Sequence, residues 1–276
     1  MLSIIISSYQ AHYLINVKKN IAETIGDDFN YEIISIDNKG VYSLCQAYNI
    51  GATKAKYENL LFIHEDILFE TKNWGTVLLA ILNLDNCGVV GVAGGNYYGF
   101  VPASWWNTKT KFLHFKQVNN DHITFNNRVN FTKDNEEAKA IDGVFLACKK
   151  KVYNEIKFDE RIKGYHGYDL IFSLQVAKKY QNYVTSKILI QHLSPGNLTK
   201  DWFVSILTVR KLIGFDKTSI IDKETELNNF YKLIFYLKNY NYSRKEIINI
   251  LLTYLNISVL GTINTFKIVN RLRFLR

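Results

Sequence analysis

Four short apolar runs, the first three each followed by a stretch with helical spacing, occupy the first hundred residues and fix what the chain can build. Residues 2–6 form a β-branched run that ends in Ser7-Ser8-Tyr9-Gln10, and residues 12–25 read as a helix closed by Gly26-Asp27-Asp28. Residues 31–36 form a second run ending at Asp37-Asn38-Lys39-Gly40, and residues 43–55 carry Leu44, Ala47, Ile50 and Ala55 at helical spacing. A third run, 59–63, stops at His64-Glu65-Asp66; residues 74–84 read as a helix and 87–93 as a fourth strand. This β-α-β-α-β-α-β order predicts a doubly wound, largely parallel sheet, because parallel neighbours need long crossovers. Ligands of such sheets sit beyond the carboxyl ends of the strands, where Asp37 and His64-Glu65-Asp66 fall.

The next stretch, 94–130, is aromatic and weakly patterned and holds Tyr97, Tyr98, Trp105 and Trp106. Residues 141–148 read as a strand opened by Asp142-Gly143, 158–168 as a polar loop, 169–180 as a helix, and 184–190 as a strand delivering Gln191-His192 before the turn Leu193-Ser194-Pro195-Gly196. Past Gly196 the pattern turns helical, over 202–212, 224–237 and 243–269. The expected organisation is a catalytic domain over residues 1–200 and a C-terminal helical region over 201–276.

Composition narrows the function classes. With 47% apolar residues in 276, the chain can bury a full core. A net charge of +9 suits a nucleotide diphosphate or an anionic lipid face. Zinc-finger, RRM-type and KH-type signatures are absent, so nucleic acid is not an expected partner. Cys45, Cys87 and Cys148 are odd in number and far apart, which reads as three buried thiols in a reducing compartment. The N-terminal run is too short for a signal peptide, so a cytoplasmic location is expected. Residues 247–266 are apolar yet carry Asn249, Thr253, Asn256, Ser258, Thr262 and Asn264, which favours packing over spanning a bilayer. The tail interleaves Lys267, Arg271, Arg273 and Arg276 with Phe266, Ile268, Val269, Leu272, Phe274 and Leu275, a mix that suits a helix lying on an anionic membrane surface.

The chemistry-bearing residues come next. Adjacent carboxylates at a strand end repel one another and invite a cation, and an oxygen-rich site with an imidazole suits Mn²⁺ or Mg²⁺ better than zinc. His192, also at a strand end, can complete such a site or be an ordinary core histidine. Asp169 opens a helix, either as an N-cap or as the general base that an acceptor hydroxyl requires. Asp37 reads as a contact to nucleotide hydroxyls or as a turn residue. Trp105 and Trp106 read as a stacking platform for a sugar or as core packing. The glycines of Gly88-Val89-Val90-Gly91-Val92-Ala93-Gly94-Gly95 lack dinucleotide-loop spacing, and P-loop, zincin and serine-hydrolase motifs are missing.

Taken in order, these motifs resemble the family 2 nucleotide-sugar glycosyltransferases of GT-A fold. The likeness is closest to a bacterial subset reading His-x-Asp where Asp-x-Asp is usual. It rests on Ser3 through Gln10, Ile34 through Asn38, Ala47-Tyr48-Asn49-Ile50-Gly51, Leu61 through Asp66, Ile141-Asp142-Gly143, Phe158 through Asp169, and Gln191-His192. The resemblance implies a Rossmann-like α/β fold with a C-terminal helical extension, and inverting transfer from a nucleotide-diphosphate sugar, preferably a UDP-sugar. The acceptor it implies is a glycan or lipid-linked molecule of bacterial surface polysaccharide or lipopolysaccharide synthesis. It assigns Asp169 as catalytic base, Asp66 and His192 as ligands of Mn²⁺ or Mg²⁺, and Ser7, Tyr9, Asp37, Asn38, Asn49 and Glu65 to the nucleotide. Trp105, Trp106, Asp142, Tyr165 and His166 fall to the acceptor. Two rivals are a nucleotidyltransferase, which should carry a glycine-rich basic loop where Ser7–Gln10 stands, and a non-catalytic carbohydrate-binding or scaffold protein.

Overall fold

A computed structural model describes residues 1–119, 122–193, 196, 198–215 and 220–273. Ser194, Pro195, Phe274, Leu275 and Arg276, invoked above, lie outside the described residues. The chain runs β1 (Leu2–Ser8), α1 (Ala11–Thr24), β2 (Tyr31–Asp37), α2 (Leu44–Lys54), β3 (Asn59–His64), β4 (Ile67–Phe69), α3 (Trp74–Leu82), β5 (Cys87–Gly91), β6 (Ala93–Gly95), β7 (Lys111–Asn119) and β8 (His122–Val129). It continues with β9 (Asn135–Ala138), β10 (Ala140–Ile141), β11 (Phe145–Lys149), α4 (Lys150–Glu155), α5 (Tyr168–Val176), β12 (Gln181–Thr185) and β13 (Ile190–His192). Five helices close it: α6 (Lys200–Ile213), α7 (Lys223–Asn239), α8 (Arg244–Tyr254), α9 (Ile257–Leu260) and α10 (Thr262–Arg273).

The main sheet has the order β2-β1-β3-β11-β5-β12-β9. Strand β1 pairs in parallel with β2 and β3, and β12 with β5, while β11 runs antiparallel between β3 and β5. Alternation along β1 sorts the core. Ile4 and Ile6 face a layer holding Val17 and Ile21 of α1 and Trp74 and Leu78 of α3. Ile5 faces the opposite layer, which takes in Tyr48 of α2, Phe172 of α5 and Trp202, Phe203, Ile206, Phe230 and Leu233 of the C-terminal helices. Helices α6 and α7 thus share the sheet's own core. The three cysteines are buried free thiols, and burial pushes Cys45 and Cys87 up to about 12.

Several local expectations change. The run 87–93 is two strands, β5 in the main sheet and β6 in a second sheet ordered β10-β6-β7-β13-β4, with β8 paired to β7. The weakly patterned 94–130 supplies the β7–β8 hairpin of that sheet. The run 184–190 divides likewise, β12 staying in the main sheet and β13 passing to the second. Finally, 243–269 is three helices rather than one. Asn256 accepts a hydrogen bond from the Ser258 amide at the start of α9, and Gly261, at φ +77°, separates α9 from α10. Among the described residues, no helix is long and apolar enough to cross a membrane.

Candidate active site

A cleft of about 520 Å³ opens beyond the carboxyl ends of β1 and β3. Its lining includes Ser7, Tyr9, Asn38, Glu65 and Asp66 from the β1, β2 and β3 ends, and Trp105, Trp106, Asp142, Gly143, Tyr165, His166 and Asp169 from later in the chain. Both sheets feed it, since β13 lies antiparallel to β4 with His192 opposite Ile67, next to Asp66.

At the floor, His192 Nε2 lies 3.5 Å from Asp66 Oδ2 and His64 Nδ1 lies 3.8 Å from Asp66 Oδ1. Ligand atoms of all three residues fall within 4.8 Å of one another. The remaining nitrogen of each ring is engaged: His192 Nδ1 with Gln117 Oε1 at 3.0 Å, His64 Nε2 with the Tyr168 hydroxyl at 2.7 Å. We assign the proton of His192 to Nδ1, donating to Gln117, and that of His64 to Nε2, donating to Tyr168. Both bare nitrogens then face Asp66, the arrangement that second-shell partners impose on metal-binding imidazoles. Burial holds His64 below the ordinary histidine value and so favours the neutral, ligating form. Two imidazoles and one carboxylate with room for further ligands fit a divalent transition ion such as Mn²⁺ better than Mg²⁺, which prefers oxygen alone. His64 was absent from the expected ligand pair; its spacing two residues before Asp66 across the β3–β4 turn was the readable signal.

Glu65 does other work. Its carboxylate accepts from Ser8 Oγ at 2.7 Å and from the amides of Tyr9 and Gln10 at 2.9 and 2.8 Å. Gln10 gives α1 no side-chain cap, so Glu65 supplies from the β3–β4 turn the acceptor that helix start needs, and it shapes the Ser7–Gln10 loop. Asn38 is buried, with Oδ1 accepting from the Tyr42 amide at 2.9 Å and Nδ2 donating to Ser7 Oγ at 3.1 Å. Asp37 is exposed, 3.7 Å from Lys39, and does not line the cleft. Nor does Asn49, whose amide instead ties α2 to Tyr153, Phe158 and Glu160.

Asp169, also on the cleft lining, stands in the first turn of α5 and its Oδ2 accepts from the Gly143 amide at 2.9 Å. A Cβ at Gly143 would lie 2.0 Å from the Tyr168 hydroxyl, so only glycine lets this turn approach α5. Asp142 spends its oxygens on Trp105 Nε1 at 2.7 Å and the Val144 amide at 2.9 Å. Burial, then the neighbouring Asp142 charge, push Asp169 up to about 7 against the pull of the Leu170 and Gly143 amides. A carboxyl tuned near neutral pH is suited to proton abstraction.

Part of the lining is aromatic. Trp106 stacks on Trp202 of α6 (centroids 5.7 Å, planes at 11°) and meets Trp105 edge-on at 5.4 Å. Tyr165 is 47% exposed, and burial lowers the basicity of His166. The loop bearing the tryptophans is fastened from behind. Glu226 of α7, fully buried, accepts from the Tyr97 hydroxyl (2.5 Å) and the amides of Phe100 and Val101 (3.0 and 2.9 Å). The Arg210 guanidinium donates to the Gly99 carbonyl and lies over the Tyr98 ring. Trp202, Glu226 and Arg210 were not singled out in the sequence. Trp202 opens a foreseen helix; the other two gave no local signal, since their partners are more than a hundred residues away.

A doubly wound sheet with a His-x-Asp turn at β3, a second small sheet returning a histidine to it, and a carboxyl at a helix start on the same cleft define the GT-A class of fold. The chain belongs to a glycosyltransferase-like family, whose model matches residues 4–207. Among solved structures, the chain resembles GalNAc-T7 with UDP, GalNAc and Mn²⁺ at TM-score 0.57 and 14% identity, over 90% of this chain and 56% of that one. It resembles S. aureus TarS 1–349 in complex with UDP at TM-score 0.55 and 12% identity, over 92% of this chain and 80% of that one. It therefore spans little more than half the length of the GalNAc-T7 chain. No curated protein matches the chain.

Proposed function

We propose that this chain is a metal-dependent, inverting glycosyltransferase that moves a sugar from a UDP-sugar to a hydroxyl of a glycan or lipid-linked acceptor. The observation that carries the reading is the presence, lining one cleft, of the His64–Asp66–His192 set and an Asp169 carboxyl raised to about 7. The UDP in the GalNAc-T7 and TarS structures supports the choice of nucleotide. His64, Asp66 and His192 hold Mn²⁺, which when bound offsets the negative charge of the diphosphate. Ser7, Tyr9 and Asn38 meet the nucleotide, and Asp37 meets its ribose or base from the rim. Glu65 acts through the loop it pins, and Asn49 by bracing α2.

On the acceptor side, Trp106, backed by the buried Trp105 and Trp202, gives an apolar face for sugar C–H edges, and Tyr165 and His166 border the entry. Asp142 keeps Trp105 in place. Asp169 takes the acceptor hydroxyl's proton as its oxygen bonds to the anomeric carbon and the glycosyl–phosphate bond breaks. UDP leaves, and the anomeric configuration inverts. Replacing Asp169 by Asn should leave UDP affinity within about twofold and cut turnover by about 10²–10⁴. Near-wild-type turnover would remove Asp169 as the base.

The proposed setting is the cytoplasmic face of a membrane, in surface-polysaccharide synthesis. Helix α8 turns Ile248 and Leu252 outward beside Arg244 and Lys245, and α10 turns Ile263, Phe266 and Val269 outward beside Lys267 and Arg271. Apolar ridges edged by basic residues suit an anionic bilayer surface, which is the partner proposed for them.

A further inference from the structure

Tyr168 stands between the two halves of the site. Its hydroxyl is 2.7 Å from His64 Nε2, and the next residue is Asp169. The ring is buried and held edge-on by Tyr48 at 5.6 Å, while Gly143 closes on its oxygen so tightly that no side chain fits there. The Gly143 amide, in turn, is the donor to Asp169. One imidazole offers a cation one nitrogen at a time, and engaging Nε2 leaves Nδ1, the atom beside Asp66.

We propose that Tyr168 is a positioning residue that couples the cation set to the base. Its hydroxyl fixes His64 in the orientation that presents Nδ1 to the ion, and the same ring seats the turn of α5 and the Gly143 amide that aim Asp169. This rests on the cation reading above. Coupling of this kind is reciprocal: whatever shifts Tyr168 shifts both ion affinity and base placement.

The test is Mn²⁺ affinity in the presence of UDP, read by the electron-paramagnetic signal of free Mn²⁺, for the full chain and three variants. Tyr168→Phe removes the hydroxyl. Gly143→Ala keeps the hydroxyl but drives a methyl group against it. Tyr153→Phe is the control, since it removes another buried hydroxyl of the same aromatic cluster, bonded to Asn49 rather than to His64. Wild type should bind Mn²⁺. Tyr168→Phe should weaken that binding about 10–100-fold, the usual effect of losing a partner behind a metal-binding histidine. Gly143→Ala should weaken it in the same direction and stands in if Tyr168→Phe does not fold. Tyr153→Phe should match wild type, with a cation-free melting temperature close to that of Tyr168→Phe. Wild-type affinity in both Tyr168→Phe and Gly143→Ala would overturn the coupling while leaving the cation site intact. An equal loss in Tyr153→Phe would overturn it as a general packing effect. A wild type that binds no Mn²⁺ would overturn the cation reading and the coupling together, without touching Asp169 as base.

Discussion

As the proposed base, Asp169 should give the reaction a pH dependence. A base must be ionised to accept a proton, so kcat/KM should fall as pH drops through about 7, and the limb should vanish with turnover in Asp169→Asn. The sign for stability is opposite. The folded value lies above the ordinary 3.8, so between about pH 4 and 7 the folded chain keeps a proton that the unfolded chain has released, and stability falls as pH rises across that window. Asn lacks that penalty. Measured without divalent ions, Asp169→Asn should therefore melt higher than wild type at pH 8 and at nearly the same temperature at pH 4; a gain that does not grow with pH would contradict the half-buried, charge-opposed setting. At this scale the sequence shows residues that end strands or open helices, such as Asp66, His192 and Asp169. It does not show which atoms they face. Glu65 looks like a second acidic ligand until the Tyr9 and Gln10 amides claim it, and Asn49 looks like a nucleotide contact until Tyr153 and Phe158 do.

Elements whose signal is local were legible, and those stabilised from a distance were not. Helix α2 announces itself through its apolar spacing, and the structure adds a Ser43–Gln46 capping box at its start. The β7–β8 hairpin does not, because it borrows its partners β6 and β13 from elsewhere in the chain. The single helix expected over 243–269 fails because apolar spacing continues across Asn256 and Gly261, where the backbone turns. The loop carrying Trp105 and Trp106 depends on Glu226, whose acceptors satisfy two buried amides and a hydroxyl. Glu226→Ala strands those donors, at a cost on the order of 3 kcal/mol. A melting temperature several degrees lower should follow. Acceptor KM should rise while UDP affinity holds, because the loop carries the proposed acceptor contacts. Equal losses on both substrates would place the loop's role elsewhere.

For the whole molecule, the β-α alternation of the first hundred residues conveyed an α/β sheet with its crevice at the strand ends, and the motif resemblance added the GT-A expectation; the antiparallel β11 and β9 and the second sheet lay outside that pattern. What alternation cannot convey is that the C-terminal helices pack into the sheet's core and contribute Trp202 to the cleft. Their outward faces carry the membrane proposal. The chain should float with vesicles containing phosphatidylglycerol, less so with neutral vesicles or in high salt, and an Ile263→Asp/Phe266→Asp variant should stay in the soluble fraction. Equal flotation of that variant would assign binding to another surface. The claim on which the rest stands is a cation-dependent nucleotide site at His64, Asp66 and His192. Its most direct test is a calorimetric titration of UDP into wild type and Asp66→Ala, with Mn²⁺ and with chelator. The account predicts binding by wild type in Mn²⁺ that is lost in chelator and in Asp66→Ala under either condition. UDP affinity unchanged by the ion or by the substitution would contradict it.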